Sequence, residues 1–297
     1  DLATFKIEEV KVAENQRQNT YWGDRPSNLS DRKTKSPDGK WDAYIKNYNV
    51  YIKSLVSNSP EIQLSFDGSE GEYYSSVVYW SPDSKKLATN KTRPNKPHLI
   101  YLIESSPTTQ LQPILQSRNY LKPGDALPQL QPSLFLIDSK KQIAIDQSKI
   151  QSQYALDNIS WRKDSRAFTF HYNQRGHQKF SLVEVNTNGI LRELVIEESK
   201  TFITYSSKMY RHDVNDGEEI IWASERDGWN HLYLYDGNGK VKNQITKGEW
   251  VMRNVIDVND KTRTIIFEGS GMEKNQDPYF IQYYKINFDG TGLVKLT

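Results

Sequence analysis

Ile220-Ile221-Trp222-Ala223-Ser224-Glu225-Arg226-Asp227-Gly228-Trp229-Asn230-His231-Leu232-Tyr233-Leu234-Tyr235-Asp236 sets two runs, apolar on both faces, either side of an Asp-Gly pair. Such a pair favours a tight reversal with positive φ. Asn215-Asp216-Gly217 before the stretch and Asp236-Gly237-Asn238-Gly239 at its end are further turns, and Gln244-Ile245-Thr246 follows. Turn, strand, turn, strand, turn, strand is the grammar of an antiparallel meander.

The same phrase recurs in both directions along the chain. Ser36-Pro37-Asp38-Gly39-Lys40 is a β-turn signal, followed by strand candidates at Tyr44-Ile45, Asn49-Val50-Tyr51-Ile52 and Ile62-Gln63-Leu64-Ser65-Phe66, then Asp67-Gly68. Trp80-Ser81-Pro82-Asp83-Ser84-Lys85-Lys86-Leu87-Ala88 opens the next repeat, with Asp83 lying 45 residues after Asp38. Trp161-Arg162-Lys163-Asp164-Ser165-Arg166 opens another after 81 residues, close to two periods, so a divergent repeat is expected between them. Asp216 and Asp260 follow at 52 and 44 residues.

A period of this length is read as a propeller or an array. A four-stranded meander cannot bury both faces alone, and radial packing of successive sheets solves this with few exposed edges. The chain is therefore expected to be all-β, a β-propeller of four-stranded antiparallel blades, with room for about six of them. Asp38, Asp83, Asp164, Asp216 and Asp260 are expected in equivalent turns between first and second strands, and the aspartates after Ser-Pro or Arg-Lys (Asp38, Asp83 and Asp164) are read as turn-formers that bond their own backbone.

Residues 36–297 are assigned to the propeller and residues 1–35 to an irregular segment completing a blade, with one strand at Phe5 to Val12. Arg93 to Pro132 breaks the rhythm, rich in proline and with one strand candidate at Leu99-Ile100-Tyr101-Leu102-Ile103. It reads as a surface excursion, with a cleft-shaping loop as the alternative.

Composition excludes several classes. The 297 residues include 18 tyrosines, 10 phenylalanines and 7 tryptophans, which favours strands over helices. Lys+Arg 39 against Asp+Glu 37 gives a net charge of +2 and no basic face for nucleic acid. With no cysteine, disulfides and thiolate metal sites are excluded. No apolar run approaches the ~18 residues of a membrane-spanning helix. The chain opens on Asp1-Leu2-Ala3-Thr4 rather than Met, which reads as a processed or trimmed piece.

Trp80 to Ala88, Tyr120-Leu121-Lys122-Pro123-Gly124-Asp125-Ala126-Leu127-Pro128 and Ser224 to Tyr233 together resemble the N-terminal propeller of dipeptidyl peptidase IV-type serine peptidases. The resemblance runs from about Ser36 to Thr297. It implies an eight-bladed propeller followed by an α/β-hydrolase domain, with peptide substrate held between the two. It also implies an exported protein, periplasmic or extracellular, whose propeller gates and positions substrate for proteolysis. A homodimer is left open, and no cofactor is implied.

Two departures stand out. No Gly-x-Ser-x-Gly nucleophile elbow occurs; Gly68-Ser69-Glu70-Gly71 and Gly269-Ser270-Gly271 both fail the spacing, so no catalytic residue is assigned and the hydrolase domain is absent from this chain. The family also grips a substrate's free amino end with adjacent glutamates on a short helix before the Trp-Ser-Pro-Asp strand. Here only Ser69 to Tyr79 separates Gly68 from Trp80, without a Glu-Glu pair. Glu70 and Glu72, two apart, would share a face of an extended segment and could converge on one ammonium group.

Tyr73, with Tyr74 and Trp229, could line a pocket or form aromatic core, and Arg175-Gly176-His177 could reach a cavity from a hairpin tip. Glu70, Glu72, Tyr73, Arg175 and His177 are thus the candidate substrate-binding residues. Glu197-Glu198 and Glu218-Glu219 read as solvated charges, because adjacent strand residues face opposite ways. The five histidines show no ligand spacing, so no metal site is assigned. Asn28-Leu29-Ser30, Asn90-Lys91-Thr92 and Asn158-Ile159-Ser160 match a glycosylation pattern. The alternatives to a peptidase propeller are a free-standing propeller that binds protein or glycan, and a propeller glycosidase with paired carboxylates.

Overall fold

The computed structural model describes residues 32–297, so the strand expected at Phe5 to Val12 lies outside the described residues. Five four-stranded antiparallel sheets follow one another. The first holds β1 (Thr34–Lys35), β2 (Trp41–Lys46), β3 (Asn49–Ser54) and β4 (Ile62–Gln63). The second holds β5 (Tyr73–Trp80), β6 (Lys86–Arg93), β9 (Gln129–Leu136) and β10 (Lys141–Ile143); between β6 and β9 the chain makes a hairpin of β7 (Leu99–Glu104) and β8 (Ile114–Asn119). The third is β11 (Gln153–Trp161), β12 (Ala167–Gln174), β13 (Lys179–Asn186) and β14 (Leu191–Glu198). The fourth is β15 (Arg211–Val214), β16 (Glu219–Ser224), β17 (His231–Asp236) and β18 (Val241–Gln244), and the fifth β19 (Val251–Asn259), β20 (Thr264–Ser270), β21 (Ile281–Asn287) and β22 (Val294–Lys295). These are the blades of a β-propeller.

Five sheets among the described residues, against about six expected, trace to one stretch. The 81 residues between Asp83 and Asp164 contain no further blade; β6 pairs directly with β9, and residues 94–127 form a compact unit of their own. In that unit β7 pairs β8 from Leu99↔Asn119 to Glu104↔Ile114, with Tyr101, Ile103, Leu111 and Leu115 exposed. The rest of the described chain is the second unit.

Apolar residues on both faces of a strand serve two seams at once, because successive side chains point opposite ways. Leu87 and Phe135 pack toward the first sheet with Ile52, Leu64 and Tyr74, while their neighbours Ala88 and Leu134 pack toward the third with Phe168, Phe170 and Val183. Ile220 and Trp222 join Leu182, Val195 and Tyr235 between the third and fourth sheets. Ile221 and Ala223 join Leu234, Trp250, Phe267 and Tyr284 between the fourth and fifth. Polar on either face, any of these strands would open a seam.

All five marker aspartates lie between the first and second strands of their sheets. Asp38 Oδ1 accepts from the Ser36 hydroxyl (2.7 Å) and the Lys40 N–H (3.1 Å), and Asp83 does the same with Ser81 (2.6 Å) and Lys85 (3.0 Å). The turns also chain the blades together. The Asp38 N–H donates to Ser84 Oγ and the Asp83 N–H to Ser165 Oγ, both at 3.0 Å. At the next seam Asp216 takes the place of that serine, accepting from the Lys163 N–H at 2.8 Å. Ser84, Ser165 and Asp216 share a left-handed backbone, with φ of 60, 63 and 59°. Two indoles repeat the linkage: Trp80 Nε1–H donates to Thr34 O and Trp161 Nε1–H to Tyr79 O, each at 2.9 Å.

Candidate functional site

In a meander alternate turns lie at opposite ends of the sheet. The aspartate turns occupy one end of each blade. The second-to-third-strand turns and the blade-to-blade connectors occupy the other, and all five candidate residues fall at that end.

Glu70 and Glu72 do not share a strand face. Ser69 and Glu72 bond each other's backbone (2.8 and 3.1 Å) around a two-residue turn, Glu70-Gly71, which leaves Glu70 exposed. Glu72 is turned into the blade. It accepts from Arg93 (2.8 Å), Gln131 (3.1 Å) and the Lys91 ammonium (3.1 Å), and Lys91 also reaches Asp67 at 2.8 Å. Tyr74 closes the cluster by donating to Asp67 at 2.8 Å. Burial pulls the Glu72 carboxyl upward, but Lys91 and Arg93 together hold it below the usual glutamate range. Tyr73, 2% exposed, is core.

Arg175 is exposed at the β12–β13 turn, where Gly176 (φ 95°) and His177 (φ 56°) complete the reversal. The His177 ring stacks on Tyr205 at 4.6 Å and meets Tyr154 and Phe202 edge-on at 4.4 and 5.4 Å. Its carbonyl accepts the Ile203 N–H at 2.8 Å. His177 therefore clamps the connector of residues 199–210 between the third and fourth blades, and its burial lowers the imidazole pKa.

That connector borders two cavities. One, of ≈ 630 Å³, is lined by Asp157, His171, Tyr205, Tyr210, Arg211 and Asp213 among others. The other, of ≈ 350 Å³, is lined by Glu197, Phe202, Lys208, Ser224, Arg226 and Asn230 among others. Tyr210 at the first is pushed up to about 12, by burial first and then by Asp257 and Asp260.

Glu197 overturns its reading as a solvated charge. It is 8% exposed and accepts from the Ser224 hydroxyl (2.7 Å) and from Arg226 (2.5 Å). A register shift between β13 and β14 at Leu182/Val183 disturbs the simple alternation, and no local sequence signal marks it. Glu219 likewise serves a seam, bonded to Lys242 and to Arg263 of the fifth blade. Asn90 of the glycosylation pattern lies inside β6, partly exposed and with its Oδ1 buried.

The match to known proteins decides the lineage. The family model for the dipeptidyl peptidase IV (DPP IV) N-terminal region matches residues 3–297. The chain belongs to this family. Among curated relatives, "Dipeptidyl peptidase 4" of Trichophyton equinum is 22% identical over 241 residues, covering 76% of this chain and 31% of that protein. "Probable dipeptidyl-aminopeptidase B" of Fusarium vanettenii is 22% identical over 296 residues, covering 88% of this chain and 32% of its own length. The chain thus spans about a third of the curated relatives it matches. Its fold is that of the dipeptidyl peptidase 4 of Porphyromonas gingivalis, with a TM-score of 0.68, 19% identity, and coverage of 90% of this chain and 38% of that one. A putative dipeptidyl aminopeptidase IV of Bacteroides ovatus aligns at a TM-score of 0.58 and 20% identity. In DPP IV N-terminal terms, the Trp80-Ser81-Pro82-Asp83 strand end and the Ser224 to Tyr233 hairpin open the second blade's first turn and form the fourth blade's tip.

Proposed function

We propose that this chain is the substrate-gating and substrate-positioning propeller of an exported dipeptidyl peptidase IV-like serine exopeptidase, working with an α/β-hydrolase domain of the same polypeptide and not catalytic by itself. The observation that carries the reading is the family match across residues 3–297 on a five-sheet antiparallel scaffold. The absence of a nucleophile elbow from the sequence supports assigning acyl transfer elsewhere, since that chemistry needs a positioned nucleophile and base. The blade end carrying Glu70, Arg175 and the two cavities is the face offered to a peptide. Of the two candidate carboxylates, Glu72 is committed to Lys91 and Arg93, so Glu70 is the one assigned to the substrate's ammonium group. An exposed carboxylate is a weak partner, worth about 0–1 kcal/mol, and gains strength only when a docked domain excludes water.

The test is direct. The purified chain should leave a Gly-Pro chromogenic amide intact, and the coding sequence downstream of Thr297 should contain Gly-x-Ser-x-Gly. Turnover by the isolated chain that disappears on mutating one of its serines would overturn the reading. So would a stop codon directly after Thr297, which favours a free-standing binding propeller.

A further inference from the structure

The connector between the third and fourth blades is held in two halves by two different blades. Its first half belongs to the third. The Ser199 N–H donates to Gln178 O (2.9 Å), Gln178 Nε2 donates to Lys200 O (2.8 Å), and the Ile203 N–H donates to His177 O (2.8 Å). The Tyr205 ring ends this half, stacked on His177. The fourth blade takes hold at Tyr210, whose carbonyl accepts from the Ala223 N–H at 3.0 Å.

Residues 206–209 run between these two fixed points. Ser206, Ser207 and Lys208 are exposed, and Met209 is half-buried against the core cluster that holds Trp222 and Tyr233. On the outside the stretch is tied to the fourth blade by the ion pair of Lys208 with Glu225 in the β16–β17 turn, whose side chains are 42% and 37% exposed. A pair this exposed shifts an equilibrium by about fivefold at most, because water and salt screen it.

The same residues belong to the wall that divides the two cavities. Ser206 and Met209 line the ≈ 630 Å³ cavity, while Lys208 and Met209 line the ≈ 350 Å³ one. We propose that residues 206–209 are a flap, hinged at Tyr205 and Tyr210 and latched by the Lys208–Glu225 pair, whose opening joins the two cavities into one groove along the seam. Local stability follows buried contact and hydrogen bonding, so this stretch opens at lower cost than the strands around it. Opening also lifts Met209 from its packing, which keeps the closed state the populated one. The flap serves a peptidase propeller and a free-standing binding propeller alike, because it controls access to the seam and takes no part in chemistry.

The test reads Met209 itself, in chain labelled with ¹³C at the methionine methyls. The chain has 3 methionines, and Met252, 2% exposed in the seam between the fourth and fifth blades, is the internal control. Met209→Leu assigns the flap signal. A soluble neutral nitroxide broadens each methyl according to its time in solvent. Its effect on Met209 should rise roughly two- to fivefold in Lys208→Ala. It should rise in the same direction in the unmutated chain as sodium chloride screens the latch, with Met252 unmoved both times. The reversed pair, Lys208→Glu with Glu225→Lys, should restore the unmutated value, with the fold of each variant checked by circular dichroism. Broadening of Met209 that ignores both Lys208→Ala and salt would overturn the proposal. So would an equal rise at Met252, which means general loosening, or a folded reversed pair that leaves Met209 as exposed as Lys208→Ala does. Should Lys208→Ala fail to fold, the salt titration of the unmutated chain decides alone.

Discussion

Replacing Arg162 by Met should unfasten the seam between the third and fourth blades. Arg162 is 2% exposed and donates through Nε to Glu184 Oε2 (2.9 Å) and through Nη1 to Asp213 Oδ2 (2.7 Å). Glu184, itself 4% exposed, would keep only Arg192, a half-exposed side chain at 2.6 Å, and Asp213 would keep Arg211 at 2.5 Å. Removing one partner of a buried pair costs about 3–5 kcal/mol, because a charge is left in a low-dielectric site. The surviving arginines place this case at the low end, about 3 kcal/mol. At roughly 2–4 °C per kcal/mol for a domain of this class, the melting temperature should fall by about 6–12 °C. Urea unfolding followed by tryptophan fluorescence measures the loss directly. Adding Glu184→Leu should recover at least half of it, since an apolar replacement of both partners is often near neutral. Gly217 supplies a second cycle: a Cβ there would stand 2.1 Å from Arg162 Nη1, so Gly217→Ala should cost more in the native chain than in Arg162→Met. A loss under about 1 kcal/mol for Arg162→Met, or a Gly217→Ala cost unchanged by it, would refute the claim that this arginine holds the seam.

Two further outcomes follow from the same geometry. In an enzyme carrying the hydrolase domain, Glu70→Gln should raise KM for free-amine dipeptide substrates and spare amino-blocked ones. Glu72→Gln should lower the melting temperature through Lys91 and Arg93 with KM unchanged; the reverse pattern would move the anchor to Glu72. His177 should titrate below the ordinary histidine value of 6.5, because burial disfavours its charged form. A depressed folded pKa means that its contribution to stability is present above pH 6.5 and lost as pH falls through the folded value. ¹H–¹⁵N NMR of the imidazole between pH 4 and 8 checks this, with release of the 199–210 connector as the acid-side consequence. An imidazole pKa at or above 6.5 would show that the ring cluster does not desolvate it.

The repeat, the strands and the turn chemistry were legible because each is local. Asp38, Asp83 and Asp164 bond backbone two residues away, so their role is written in four consecutive residues. The apolar-on-both-faces runs of Ile220 to Ser224 and His231 to Tyr235 already required two packing partners, hence a stack of sheets. What rested on residues far apart could not be read. The 81-residue gap from Asp83 to Asp164 is as compatible with a degenerate blade as with an inserted hairpin, and only the β6–β9 ladder decides between them. Glu70 and Glu72 are two apart in sequence, but the Ser69–Glu72 turn separates them and the side chains of Lys91, Arg93 and Gln131 claim Glu72. Glu197 looks like half of a solvated pair until a register shift and two residues of the next blade, Ser224 and Arg226, enclose it. Sequence by itself therefore determined the blade, since hydrogen bonds between near neighbours and the period of two are short-range. Only the tertiary structure decided which charges are buried, because burial is a property of the seam, and the bonds across the seams join residues 27 to 82 positions apart.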